Sequence, residues 1–225
     1  MNVALDDRLL SVASFVRPGD AVIDVGTDHA YLPVYLLEAG IAARALATDI
    51  NPGPLNNARE TVAACGLENA ISTALANGLD GAENFEADTV MICGMGGELI
   101  ADIIDRAPFV KDSHIRLILQ PMTFGDHLRS YLLSHGFNIL DEALSTDNGK
   151  LYFCICAEYD GISREYSPVE LLIGRHNLAR REDPLRTPII AREIRRLETV
   201  IRGKEQGGLD CASERELLAV LQEQL

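Results

Sequence analysis

The segment at residues 24–33, DVGTDHAYLP, constrains the fold of this chain most strongly. An apolar run at residues 21–25 leads into it, and a helical pattern over residues 30–39 follows and ends at Gly40. α/β proteins hold nucleotides where a strand ends and a helix begins, because the first turn of the helix has N–H groups without helical partners. The segment therefore predicts an α/β fold with a nucleotide-type ligand at this junction.

The alternation of strands and helices continues to about residue 159. Further strands are predicted at residues 45–48, 70–75, 89–93, 115–119, 137–143 and 151–158. Helical spacing of apolar residues separates most of them, but the last two are joined only by a turn at residues 147–150. This order predicts a mostly parallel sheet with an antiparallel strand at one end, and a short helix before residue 17 that covers a sheet edge or the ligand crevice.

The remaining part of the chain has a different pattern. Apolar residues recur at helical spacing over residues 190–201 and 218–225, with three glycines between the two groups. This spacing predicts two helices that pack as an antiparallel pair. We therefore expect two units, a ligand-binding domain at residues 1–159 and a helical appendage at residues 160–225.

The charge of the chain is unevenly distributed. The net charge of −14 by itself argues against a nucleic-acid partner. Residues 1–160 hold 9 Lys and Arg against 23 Asp and Glu, whereas residues 175–204 hold 9 basic and 4 acidic residues. The basic stretch is either a solvated helix face or a contact surface for a polyanion.

Several classes of protein and site are not indicated. No apolar run reaches the ~20 residues of a membrane span, and the first ten residues carry acid where a signal peptide carries base. We therefore expect a cytoplasmic protein. The five cysteines include no C-x-x-C pair and the five histidines no i, i+4 pair, so buried thiols and no metal site are expected.

Asp49 ends the second predicted strand, where a carboxylate can accept hydrogen bonds from two ribose hydroxyls. The residues by themselves are compatible with NAD, S-adenosylmethionine or another nucleoside ligand. NAD is disfavoured because the segment lacks the second and third glycines of G-x-G-x-x-G. The alternative for Asp24 and Gly26 is an ordinary tight turn without a ligand.

Six motifs together resemble, in order and spacing, the TrmK family of bacterial tRNA methyltransferases. They are DVGTDHAYLP, DINPGPLNNA, NGL, CGMGGELI, LILQPM and DNGKLY. The resemblance covers residues 9–158 closely and the C-terminal part only in kind. It implies a class I, Rossmann-like methyltransferase fold with a seven-stranded sheet, S-adenosylmethionine as the cofactor, and methylation of N1 of adenine-22 in tRNA.

The resemblance also implies a set of cofactor-binding residues. Asp24 and Gly26 would contact the amino-acid end of the cofactor, Asp49 its ribose and Ile50 its adenine. Asn77 stands where the family usually has Asp, so a weaker contact with the adenine is expected. The full set is Asp24, Gly26, Thr27, Asp49, Ile50, Asn77, Gly78, Leu79, Cys93, Gly94, Met95 and Gly96.

The segment at residues 93–97, CGMGG, stands where many amino-methylating enzymes of this fold have N/D-P-P-Y. Its glycines predict a close approach of the backbone to the methyl donor or the target base, with Met95 as an apolar wall. The alternative is a turn that merely starts the next helix.

Catalytic candidates follow from the same resemblance. Asp28 would accept a proton or a hydrogen bond from the exocyclic amine of adenine as positive charge develops on the ring; the alternative is a helix cap beside Thr27. His29 either relays a proton or is a histidine that packs against its surroundings or contacts the cofactor. Tyr31 and Phe124 either stack on a flipped-out base or are buried in the core.

Arginines of the helical appendage are the candidates for tRNA phosphate contacts, because the catalytic domain is strongly acidic. They are Arg175, Arg180, Arg181, Arg186, Arg192, Arg195, Arg196 and Arg202. Binding of tRNA is therefore expected to weaken steeply with salt. Two other interpretations stay open. The chain is a methyltransferase of the same fold that acts on another RNA or a small molecule, or it is a non-catalytic protein that senses the cofactor and binds another protein.

Overall fold

The computed structural model describes residues 3–225, which form a seven-stranded β-sheet with helices on both faces. The strands are β1 (Asp20–Val25), β2 (Ala42–Asp49), β3 (Ile71–Leu75), β4 (Thr89–Gly96), β5 (Arg116–Thr123), β6 (Phe137–Asp147) and β7 (Lys150–Tyr159). The helices are α1 (Asp7–Ala13), α2 (Tyr31–Glu38), α3 (Pro52–Ala64), α4 (Gly97–Asp105), α5 (Gly125–Ser134), α6 (Pro168–Ile173), α7 (Arg175–Ala179), α8 (Arg186–Gln206) and α9 (Ala212–Gln222). Short 3₁₀ turns occur at Glu83–Phe85 and Pro108–Lys111.

The strand order is β3-β2-β1-β4-β5-β7-β6, and strands β1 to β5 pair in parallel. β7 is antiparallel to both of its neighbours. The predicted seven-stranded, mostly parallel sheet is confirmed, but the antiparallel strand lies between β5 and β6 instead of at the edge. The reason is burial, because residues 153–157 of β7 form a continuous apolar run that is fully covered.

Two hydrophobic cores flank the sheet. Helices α1, α2 and α3 cover one face, and α4 and α5 cover the other. The order of the strands reverses between the neighbours β1 and β4, and in such sheets ligands bind beyond the carboxyl ends of the strands at this point. The fold therefore places the ligand site where β1, β2 and β4 end.

β4 and β5 extend beyond the ends that the sequence predicts. β4 continues to Gly96 and β5 to Thr123, with register shifts on either side of Met95. Pro121 of β5 has no N–H to donate to a neighbouring strand, and a sheet tolerates such a residue where the pairing is interrupted by a bulge. The CGMGG segment is therefore anchored to the sheet up to Gly96, and α4 begins directly after it at Gly97.

The last two helices form the predicted antiparallel pair. At one end the Arg186 guanidinium donates to the Gln224 carbonyl at 2.7 Å, and at the other Lys204 pairs with Glu214 at 2.6 Å. Ile190 of α8, Leu221 of α9 and Ile173 of α6 share a hydrophobic cluster with Leu144 and Phe153 of the β6–β7 hairpin. The helical part is thus packed directly on the sheet.

Candidate functional site

The turn between β1 and α2 is held by main-chain hydrogen bonds. Gly26 has φ +77°, a conformation that L side chains rarely adopt. The N–H groups of Gly26 and Thr27 both donate to the Thr48 carbonyl at the end of β2, each at 2.8 Å. The Thr27 hydroxyl accepts a hydrogen bond from the Ala30 N–H at 3.1 Å. These contacts fix the turn and join the ends of β1 and β2.

Asp24 lies one residue before the end of β1, beneath this turn, and only 7% of its surface is exposed. Burial raises the pKa of Asp24 to about 6; a hydrogen bond from Thr27 opposes the rise, and the charge of Asp49 adds to it. The cost of burying a carboxylate falls when a cation binds beside it. The position therefore favours a cationic ligand group such as an ammonium.

The end of β2 and the loop after β3 offer different chemistry. The Asp49 carboxylate accepts a hydrogen bond from the Asn51 N–H at 2.7 Å, and the neighbouring Ile50 side chain is 60% exposed. Asn77 is also exposed, whereas the Leu79 side chain belongs to the core, so Leu79 can contact a ligand only through its main chain. A carboxylate beside an exposed apolar side chain suits the hydroxyls of a ribose and the flat face of a base.

Met95 covers the Gly26 turn. A Cβ atom at Gly26 would collide with Met95 Cε, so the bare glycine is what allows these two strand ends to approach. Methionine has three rotatable side-chain bonds and can fill this space or turn aside for a ligand. The structure thus brings Gly26 and Met95, predicted independently from two motifs, to the same place.

Gln120 connects the CGMGG segment to α1. It is fully buried at the end of β5, and its side-chain oxygen accepts hydrogen bonds from the Gly94 N–H at 3.0 Å and from Arg8 Nη1 at 2.9 Å. Neither Arg8 nor Gln120 was predicted from the sequence as a site residue. The sequence does contain a signal for Gln120, because a glutamine in an apolar strand must form hydrogen bonds when it is buried.

The Cys93 thiol lies half-buried in the same segment. Burial, and secondarily the charge of Asp24, raise the pKa of Cys93 well above its ordinary value. The thiol is therefore protonated at neutral pH and lacks the reactivity of a thiolate.

The segment after Gly26 carries the predicted catalytic residues. Asp28 is exposed, with 70% of its side chain accessible, and its carboxylate lies 3.4 Å from His29 Nε2. The rings of His29 and Tyr31 stack at 5.0 Å between centroids. The interpretation of Asp28 as a helix cap is wrong, because Thr27 is the residue that accepts a hydrogen bond from the Ala30 N–H.

Tyr31 and Phe124 both remain outside the hydrophobic cores. Tyr31 is 40% exposed and Phe124 57% exposed, so the alternative interpretation of these rings as core residues is wrong. Phe124 precedes α5, and its carbonyl is so close to Gly97 that a Cβ atom there would collide with it. Phe124 therefore flanks the end of the CGMGG segment.

The arginines of the C-terminal helices fall into three groups. Arg186 is buried and donates to the Leu178 and Gln224 carbonyls, so its role is structural and a phosphate contact is excluded in this conformation. A second group pairs with acidic residues or carbonyls: Arg175, Arg180, Arg192 and Arg196. In the described part of the chain, the exposed side chains of a third group have no hydrogen bond or ion pair: Arg181, Arg195 and Arg202.

Residues 3–225 contain neither a membrane-spanning helix nor a metal-binding cluster. No helix in this range combines the length and the apolarity that a membrane crossing requires. The same residues contain no group of three His, Cys, Asp or Glu side chains arranged to hold a metal ion. No disulfide joins any of the cysteines in this range; Cys154, Cys156 and Cys211 are buried, and Cys65 and Cys93 are half-buried.

Known proteins resemble this chain in both sequence and fold. A family model described as a methyltransferase domain matches residues 5–155. The tRNA (adenine(22)-N(1))-methyltransferase of Bacillus subtilis is 37% identical over 166 residues, which cover 71% of this chain and 70% of that protein.

Two solved structures match over nearly the whole chain. One is a putative tRNA (m1A22) methyltransferase of Streptococcus pneumoniae in complex with S-adenosyl-L-methionine, with 32% identity, a TM-score of 0.86 and coverage of 99% of this chain and 100% of that one. The other is TrmK of M. capricolum in complex with S-adenosyl-homocysteine, with 28% identity, a TM-score of 0.79 and coverage of 98% and 96%. With a family model that spans residues 5–155 and a relative at 37% identity, the chain belongs to the TrmK family of methyltransferases.

Proposed function

We propose that this chain transfers a methyl group from S-adenosylmethionine to N1 of an adenine in tRNA, at the position corresponding to adenine-22. The observation that carries the proposal is the juxtaposition of Asp24, Gly26 and Asp49 at the carboxyl edge of the sheet, in a chain 37% identical to a relative named for this reaction. S-adenosylmethionine supplies a methyl group on a positively charged sulfur. The residues of this chain then have to bind the cofactor, align it with the target nitrogen and exclude water from the site.

The site residues fit the two ends of this cofactor. The buried Asp24 carboxylate, which has no cationic partner among residues 3–225, would accept hydrogen bonds from the amino group of the methionine end. The Asp49 carboxylate would accept from the ribose hydroxyls, and the exposed Ile50 side chain would cover the adenine. Gly26 would keep the path between these groups free of a side chain, with Met95 displaced or packed on the cofactor.

The target adenine would enter from the side of residues 28–31. Its N1 already has a lone pair, so no proton has to be removed before attack. Asp28, exposed and next to the site, would accept a hydrogen bond or a proton from the exocyclic amine as the ring becomes positive. The Tyr31 ring, stacked on His29, would pack against the exposed base.

The catalytic domain at residues 1–159 and the helical appendage at residues 160–225 would both contact the RNA. Arg181, Arg195 and Arg202, whose side chains have no partner among residues 3–225, would supply the cationic groups for phosphates, with Arg175, Arg180, Arg192 and Arg196 at their flanks. We also propose that the protein acts in the cytoplasm, where its substrate is made.

The direct test is incubation of the purified chain with total bacterial tRNA and methyl-labelled S-adenosylmethionine, followed by nucleoside analysis. Label in 1-methyladenosine is the expected result, and mapping it to position 22 gives the site. Label in another nucleoside would support methylation of a different RNA position. Cofactor binding without label in any nucleoside would refute the proposal and favour a small-molecule substrate or a sensing role.

A further inference from the structure

A cleft of about 630 Å³ opens between the end of β5 and helix α8. Met122, Phe124 and Asp126 line it from the sheet edge and α5, and Arg192 and Arg196 line it from α8. Because β4 and β5 end side by side, the cleft begins next to the CGMGG segment and runs outward to the helical appendage. It is distinct from the proposed cofactor site, which lies at the ends of β1 and β2.

The inner wall of the cleft is an exposed apolar surface. Phe124 has φ +54°, a left-handed conformation that is unfavourable for a bulky residue, and its ring is still more than half exposed. Met122 beside it is also exposed. A strained and exposed aromatic residue contributes nothing evident to the core, which suggests a role in contact with a ligand.

The outer wall is a cationic cluster on one face of α8. Glu193 is buried and accepts from Arg192 Nε at 2.9 Å and from Arg196 Nε at 2.6 Å. Arg192 also donates to the Leu151 carbonyl at 2.8 Å. The two guanidinium groups are thereby fixed at the cleft with a net charge of +1, while the Arg196 side chain remains half exposed.

We propose that this cleft binds an unpaired nucleotide of the tRNA next to the target adenine. The base would stack on Phe124, its phosphate would bind Arg196, and Asp126 would accept from an exocyclic amine. An aromatic face, a guanidinium and a carboxylate in one cleft match the three kinds of group that a nucleotide presents. The inference rests on the proposed function and deepens it, because it makes α8 a part of the substrate site.

The first test compares steady-state kinetics of single variants. Phe124→Asn keeps a residue type that tolerates positive φ and removes the ring, and Arg196→Gln removes one cation while Arg192 still neutralises Glu193. Arg215→Gln removes the same charge from an exposed ion pair on α9, outside the proposed phosphate contacts, and is the matched control. Both cleft variants are expected to raise the KM for tRNA at least fivefold more than the control, with the affinity for S-adenosylmethionine within twofold of wild type.

The second test needs no catalytic activity. The chain contains no tryptophan, so Phe124→Trp places a single fluorescent reporter in the cleft. Saturable quenching by tRNA is expected, since a base would stack on the indole, whereas Leu209→Trp in the exposed α8–α9 connection should change little.

The outcomes separate the two proposals. If wild-type protein forms no 1-methyladenosine, the proposed function fails, although quenching at position 124 still tests whether the cleft takes RNA. If 1-methyladenosine forms but the Phe124 and Arg196 variants match the Arg215 control, the cleft proposal is overturned. Quenching by adenosine monophosphate at lower concentrations than by tRNA would also overturn it, because the cleft would then bind a free nucleotide.

Discussion

Arg8 Nη1 donates a hydrogen bond to Gln120 Oε1 at 2.9 Å and so joins the first helix to the end of β5, 112 positions along the chain. The same oxygen accepts from the Gly94 N–H, so one buried amide ties α1, β5 and the CGMGG segment together. Gly94 has φ +75°, a backbone conformation that favours glycine, although a Cβ atom there would meet open space. The conformation of the loop therefore depends on the backbone freedom of glycine and on this hydrogen bond, and steric crowding plays no part.

We predict that Gln120→Met lowers kcat about tenfold and changes the affinity for S-adenosylmethionine much less. The substitution leaves the Gly94 N–H and the Arg8 guanidinium without their acceptor, at a cost of about 1–3 kcal/mol, and loosens the segment nearest the methyl donor. Gln120→Glu keeps an acceptor oxygen for both donors and should restore most of kcat. Wild-type kcat in a folded Gln120→Met protein would exclude this positioning role.

The affinity for S-adenosylmethionine should fall with pH below about 6. The pKa of Asp24 is raised from 3.8 to about 6 without ligand, and only the ionised carboxylate attracts the amino group. At pH 5 about one tenth of Asp24 is ionised, which predicts about tenfold weaker binding and proton release on binding, measurable by calorimetry in buffers of different ionisation enthalpy.

Protonation of Asp24 at low pH should increase the stability of the folded protein, whereas it should decrease the affinity for the cofactor. Because its folded pKa lies above the unfolded value, the folded protein takes up the proton first, and the contribution of Asp24 to stability rises as pH falls from about 6 to about 4. Acid unfolding therefore does not explain the predicted loss of affinity. Asp24→Asn should abolish the pH dependence of binding and stabilise the ligand-free protein at pH 7, and an unchanged pH profile would contradict the assignment.

Asp28→Asn tests the proposed catalytic role. The side chain is exposed and caps no helix, so stability and cofactor affinity should remain close to wild type. The amide still accepts a hydrogen bond but cannot take a proton, so kcat should fall by about 10²-fold if Asp28 acts as a base. Full turnover in the variant would remove Asp28 from the mechanism.

Arg129 and Glu142 form a fully buried ion pair that holds the helical part on the sheet. Arg129 Nε lies 2.6 Å from Glu142 Oε1, and the guanidinium also donates to the Leu171 carbonyl near the end of α6. Arg129→Met leaves a buried carboxylate unpaired and should lower the free energy of unfolding by about 3–5 kcal/mol in urea titrations. Removal of the surface pair Arg164–Asp160 is the control and should have a much smaller effect.

Replacement of Arg181, Arg195 and Arg202 by Gln should weaken tRNA binding and reduce its salt dependence. These three exposed side chains have no ion pairs with other residues in the described range, so their loss should leave stability unchanged. If each contacts one phosphate, the slope of log K against log salt should become less negative by roughly 2. An unchanged slope would place the RNA on another surface.

Local patterns were sufficient for the elements and for part of the site. The apolar run before Asp24, the Gly26 turn and the periodicity of α2 are all short-range features, and they predict the strand-to-helix junction correctly. Asp49 follows from its place at the end of the next strand. Parallel strands put both carboxylates at one edge, so sequence order alone predicts that they meet.

The tertiary structure decided what depends on contacts between distant segments. The position of β7 between β5 and β6, the partners of Gln120 and the exclusion of Asp28 as a helix cap are not written in any local pattern. The arginines looked equivalent in the sequence, yet Arg186 is buried between two carbonyls while Arg196 faces a cleft with Phe124. Charge and spacing are properties of the chain, whereas burial and hydrogen-bond partners are fixed only when remote segments pack together.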